Sequence, residues 1–114
     1  MIKIKVSPLL VKKIRRIFKS KSKKIFQWMN KLKENPHMGD ILAHFGEIEL
    51  RELKYSNVFR FYFFTNERVV KILDRDELEY VLIKFIAMSK KGKEQKEMIN
   101  KLKYELKKYG FDFF

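Results

Sequence analysis

Glu49, Arg51 and Arg60 are the residues in this chain whose types and spacing could do chemistry together. Glu49 and Arg51 lie two apart in Glu47-Ile48-Glu49-Leu50-Arg51, so on a strand both point one way while Ile48 and Leu50 point the other. In Val58 to Thr65 the same period sets Phe59, Phe61 and Phe63 on one face and Arg60 and Tyr62 on its reverse. Lys84, opposite in facing to Val81, Ile83 and Phe85, joins the polar set. If the apolar faces of these strands cover helices, the charges share one concave face, and an anion is expected there. The pattern also allows a plainer arrangement, in which Glu49 and Arg51 form a salt bridge on an exposed sheet face.

Other chemistries find little support. The chain has no Cys, which removes disulfides, a thiol nucleophile and thiolate metal ligands. A metal site would need clustered ligands, whereas the two histidines, His37 and His44, fall in one stretch without helical i, i+4 spacing; no metal and no cofactor is expected. His44 is the better placed of the two to approach a substrate, since loops carry function. Gly39, Gly46, Gly92 and Gly110 are isolated and make no phosphate-binding fingerprint. Ser7, Ser20 and Ser22 read as caps rather than nucleophiles.

Among the elements that must position these residues, Ile2, Ile4 and Val6 alternate with Lys3 and Lys5 as in a half-buried strand. Ser7-Pro8 should cap a helix on which Leu10, Ile14, Ile17 and Phe18 share a face. Ser22 can cap a second helix with Ile25, Trp28, Met29 and Leu32 buried, and Asn35-Pro36 closes this helical hairpin. Residues 37 to 46 read as a connecting loop. Strands follow at 48 to 51, 58 to 65 and 80 to 88, and the stretch 68 to 79 is ambiguous between a continued ribbon and a turn. After a basic turn at 89 to 93, a helix over 94 to 109 should bury Met98, Leu102, Leu106 and Tyr109, with Gly110 as its stop. The fold class is therefore α+β: an N-terminal strand and helical hairpin packed on an antiparallel sheet of about four strands, closed by a C-terminal helix. At 114 residues, 1–114 is a single domain.

The net charge is +13, from 27 Lys and Arg against 14 Asp and Glu, and its distribution matters more than its size. Residues 1 to 33 carry 12 bases and no acid, residues 34 to 83 carry 6 bases and 10 acids, and residues 84 to 114 carry 9 bases and 4 acids. Two basic ends flank a mildly acidic middle, which makes a polyanion the first partner to consider. Apolar runs are too short to span a bilayer and no signal-peptide pattern opens the chain, so a soluble intracellular protein is expected.

Four segments together resemble the RelE/ParE superfamily of toxin-antitoxin toxins over nearly the whole chain. They are Asn35-Pro36 with Gly39, then Glu49-Leu50-Arg51-Glu52-Leu53, then Phe59-Arg60-Phe61-Tyr62-Phe63, then Met88-Ser89-Lys90-Lys91 before an amphipathic helix. The resemblance implies a RelE-like fold and a cytoplasmic, ribosome-dependent endoribonuclease that cleaves mRNA without a metal. In that chemistry a base helps the ribose 2′-OH attack the adjacent phosphorus, and cations stabilise the phosphate charge. Arg60 matches the phosphate-stabilising arginine, with Arg51 supporting it. Glu49, standing where some members have lysines, is the candidate base. Lys90 and Lys91 match the basic turn that faces RNA, and with Lys54, Lys84 and Lys93 they form the RNA-binding set. A His or Tyr that often follows that turn in the family is absent from 92 to 97, and the stretch from Arg60 to Lys90 is longer than usual, which suggests an extended hairpin around 66 to 79. The resemblance further implies an acidic, RelB-like antitoxin lying across the basic helices. A ParE-like gyrase inhibitor and a nuclease-inactive RNA-binding module of the same fold are the alternatives.

Overall fold

The computed structural model describes residues 2–35, 38–46, 48–70 and 78–110, with 66–70 and 78–82 described as backbone. Strand β1 (Ile2–Val6) leads into α1 (Pro8–Phe18), a short 3-10 turn (Lys19–Lys21), α2 (Ser22–Asn30) and a second 3-10 turn (Lys31–Lys33). Strands β2 (Asp40–Phe45), β3 (Ile48–Tyr55), β4 (Phe59–Val70) and β5 (Leu78–Lys90) follow, then α3 (Lys93–Tyr109). The sheet order is β1-β5-β4-β3-β2. β2 to β5 form an antiparallel meander, and β1 adds to its edge parallel to β5. This is the expected α+β fold with a fifth strand, because the stretch that reads as a loop at 37 to 46 contains β2. Leu42, Ala43 and Phe45 give that strand an apolar side against the sheet's core, which sequence spacing obscures because Leu42 sits at a bulge. His37 lies outside the described residues, as do the expected turn residues 74 to 77; β4 and β5 nevertheless pair out to Val70 and Leu78, as an extended hairpin requires.

Local chemistry sets the helix ends. The Ser7 hydroxyl accepts from Leu10 N–H at 3.3 Å and Pro8 occupies the first turn, as expected for an N-cap. Ser22 departs from its expected capping role. It is the first residue of α2, Lys21 holds the cap position, and the Ser22 hydroxyl donates back to Lys19 C=O at 2.7 Å, fastening the turn between the two helices. Gly110 ends α3 at φ +79. Ile17 and Tyr109, core residues by their spacing, are exposed, while Phe18 beside Ile17 takes the place against Tyr55, Phe59 and Phe61.

The helices cover both faces of the sheet, not one. On the first face, Leu10, Ile14, Ile25, Met29 and Leu32 of the N-terminal segment pack against Leu53, Phe61, Phe63, Ile83, Phe85 and Met88. On the second, Leu102 and Leu106 of α3 pack against Leu50, Tyr62, Phe64 and Ile86. A bulge in β5 makes this possible: Tyr62 pairs with Ala87 and Phe63 with Phe85, leaving Ile86 as an extra residue. Phe85 and Met88 thereby both reach the first core, and Ile86 and Ala87 both reach the second. Among the described residues, no helix is long and apolar enough to cross a membrane.

Candidate functional site

The β3–β4 register decides which charges meet. Tyr55 pairs with Phe59 across the three-residue turn at 56 to 58, so odd-numbered residues of one strand face odd-numbered residues of the other. Arg51 pairs with Phe63 and Leu53 with Phe61, which places Arg51 and Glu49 on the face covered by α1 and α2. Arg60 pairs with Lys54, and Glu52 with Tyr62, on the opposite face. The expected constellation of Glu49, Arg51 and Arg60 is therefore divided between the two sides of the sheet. Period-two alternation requires this, since Arg51 shares its parity with Leu53 and the buried phenylalanines.

Arg51 is tied into the fold. Its guanidinium makes a 2.8 Å ion pair with Glu49 and donates to Gly39 C=O at 3.2 Å. Gly39 has to be glycine here: its φ is +91, and a Cβ would stand 2.6 Å from the Glu52 carbonyl oxygen. His44, on β2 rather than in a loop, is exposed and in register with Glu49 on this same side.

Arg60 has a different setting, assembled from β3, β4, β5 and the start of α3. It is 8% exposed. Its guanidinium donates to Phe59 C=O at 2.9 Å, and Nε lies 3.9 Å from Glu52 Oε1 without a hydrogen-bond partner among the described residues. Both Glu52 oxygens instead accept from the Gln95 amide, at 3.1 and 3.0 Å, while the Gln95 carbonyl accepts from Gly92 N–H at 3.1 Å. One glutamine thus caps α3 and pins it to β3. Beside them the fully buried Tyr62 hydroxyl shares a 2.8 Å hydrogen bond with Ser89. Burial pushes the Tyr62 phenol up to about 12; the Ser89 bond draws it back, and the neighbouring Glu52 charge adds to the rise.

The lysines fall in three places. Lys54 is exposed directly across from Arg60. Lys90, Lys91 and Lys93 are exposed on the turn at the same end of the sheet, where Lys91 N–H donates to Val58 C=O at 2.8 Å. Lys84 is apart from them. It pairs with Phe64, four residues along β4 from Arg60, which is roughly 13 Å at strand rise.

Arg60, Glu52, Tyr62, Ser89 and Gln95 therefore make one buried polar cluster with a basic rim. Sequence reasoning does not single out Glu52, Tyr62, Ser89 or Gln95. Glu52 and Tyr62 are within its reach through parity with Arg60; Gln95 is 43 positions from Glu52 and carries no local signal. Chemically, the cluster offers a guanidinium with spare donor capacity beside a carboxylate, the combination that binds a phosphate and moves a proton next to it. Comparisons with protein-family models, with curated proteins and with solved structures find no match to this chain.

Proposed function

We propose that this chain is a RelE-like toxin of a toxin-antitoxin pair, acting in the cytoplasm as a ribosome-dependent endoribonuclease on mRNA. The observation that carries the reading is Arg60, a buried cation whose terminal Nη1 is held by a backbone carbonyl, that of Phe59, at the end of a sheet rimmed by Lys54, Lys90, Lys91 and Lys93. A cation desolvated in this way gains most from a charged oxygen. In this reading Arg60 holds the scissile phosphate and Glu52, not Glu49, takes the 2′-OH proton. The 2′ oxygen bonds to phosphorus, the bond from phosphorus to the 5′ oxygen breaks, and the leaving oxygen takes a proton from water. Substrate reaches Arg60 when the start of α3 parts from β3 at the Gln95–Glu52 hydrogen bonds.

An acidic antitoxin fits the same picture. A groove of about 530 Å³ between α1 and α3 is lined by Leu9, Met88, Met98 and Leu102, with Lys13 on one wall and the Lys101–Glu105 ion pair, at 3.9 Å, on the other. Leu9 is 79% exposed there. Lys13 donates to Met88 C=O at 2.9 Å, and its pKa is lowered, chiefly by burial. The walls combine apolar anchors with positive charge, and α1 carries no acid, so the groove suits an amphipathic acidic segment.

The test is primer extension on mRNA in translating ribosomes. Cuts made by the wild type should vanish with Arg60→Ala and fall at least about a hundredfold with Glu52→Gln, while Glu49→Gln retains them. Cuts that depend on Glu49 and not on Glu52 would overturn this assignment. The burial of Arg60 favours one second reading, a nuclease-inactive RNA-binding module; RNA binding with no cuts from the wild type would establish it.

A further inference from the structure

The outward face of α3 carries a feature that the Arg60 cluster does not use. Lys93, Lys96, Asn100, Lys103, Tyr104 and Lys107 are all exposed, and at about 100° per residue they fall within one stripe. The stripe starts at the basic turn and runs about 16 Å along the helix before it reaches Tyr104. Glu97 borders the stripe and pairs with its first lysine, Lys93, at 3.9 Å, while Glu94 and Glu105 stand to its side, Glu105 paired with Lys101 at 3.9 Å and Glu94 accepting from Lys90 N–H at 3.4 Å.

At the far end are two aromatic rings that the core leaves outside. Tyr104 is 59% exposed and Tyr109 is 51% exposed. Lys108 stands between them: its ammonium donates to the Tyr104 hydroxyl at 3.0 Å and lies 5.4 Å from the Tyr104 ring centre and 5.2 Å from that of Tyr109. The hydrogen bonds with the two tyrosines raise the Lys108 pKa, so the group stays charged. Tyr104, an exposed ring on the stripe beside the Lys108 ammonium and at the end of a row of lysines, offers what single-stranded nucleic acid recognises: a π-face for an unstacked base and cations for the flanking phosphates.

We propose that the outward face of α3 is a docking track for single-stranded RNA, with Tyr104 stacking a base, Lys108 meeting the adjacent phosphate, and Lys96, Lys103 and Lys107 guiding the backbone. Its RNA partner class rests on the reading given under Proposed function, but the track does not require cleavage. It would hold the strand at one end of α3 while Arg60 lies at the other.

The experiment is fluorescence anisotropy of a labelled 12-nucleotide oligouridine with the full chain, in the absence of ribosomes, across a salt series. Tyr104→Ala is expected to weaken binding about tenfold, with the slope of log affinity against log salt unchanged; Tyr104→Phe, which keeps the ring, should stay within about twofold of wild type. Replacing Lys103 and Lys107 together by Ala should instead reduce that slope by about 0.7 for each phosphate that is no longer neutralised. The tyrosine and lysine variants change exposed groups, and unchanged circular dichroism would verify that they fold. Wild-type affinity for Tyr104→Ala would overturn the proposal, as would the same Tyr104 dependence for heparin, a polyanion without bases. Tyr104-dependent binding by a chain that makes no cuts on ribosomes would overturn the nuclease reading alone, and cuts without such binding would overturn the track alone.

Discussion

A guanidinium needs either water or several acceptors; Nε is buried without a hydrogen-bond partner among the described residues in both arginines, but the terminal nitrogens of Arg51 are held by Glu49 and the Gly39 carbonyl, whereas Arg60 donates to the carbonyl of its neighbour Phe59. That contrast separates a structural arginine from a candidate for ligand binding at the level of single side chains. Tyr62 is the other informative residue. Its raised pKa means that the folded state holds the phenolic proton more tightly than the unfolded chain, whose tyrosines titrate near about 10. The associated stability is complete below about pH 10 and is lost as pH rises through about 12. Alkaline unfolding should therefore coincide with one tyrosine ionisation, followed by the ultraviolet absorbance of the phenolate. In Tyr62→Phe both that absorbance step and the steep loss of stability between about pH 10 and 12 should disappear.

At the scale of elements, the seam between β3 and α3 depends on Gln95. Gln95→Ala removes two hydrogen bonds to a buried carboxylate and the cap on Gly92, so it should cost about 1.5–3 kcal/mol in urea unfolding and speed amide exchange over 92 to 96. An unchanged midpoint would mean that water replaces the glutamine without loss. The elements themselves are legible in the sequence: Ser7-Pro8 marks a helix start, Ile2 to Val6 a strand, and Leu102 with Leu106 a buried helix face. The site is not, because the charge pattern suggests a single polar face shared by every strand. Leu53 and Tyr55 share the parity of Arg51, and aligning them with Phe59, Phe61 and Phe63 sends Arg51 to the first core. The Ile86 bulge adds a second obstacle. Strict alternation from Phe85 would turn Ser89 toward α1 and α2, yet the extra residue brings it to Tyr62.

For the molecule as a whole, +13 on 114 residues is a self-repelling surface, and the acid-free first 33 residues concentrate it. Salt should relieve that repulsion: the melting temperature is expected to rise by several degrees between about 50 and 500 mM NaCl, as followed by circular dichroism, and a fall would indicate that ion pairs outweigh repulsion. The same field would assist encounter with the proposed RNA substrate and acidic partner, so both associations should slow as salt rises.

The sheet order carries a consequence for how the protein is made. β1 precedes the other described elements in the chain, yet its hydrogen-bonding neighbour is β5, four strands and two helices later. The first core likewise needs Phe61, Phe63, Ile83 and Phe85 before Leu10, Ile14, Ile25 and Met29 can be buried. Throughout that interval the basic amino-terminal third leaves the ribosome unpartnered, apolar stripes exposed, beside an anionic RNA surface. The early segments must wait for β4 and β5, and the acidic partner proposed above, if it covered α1 and α2 early, would act as a chaperone before it acted as an inhibitor.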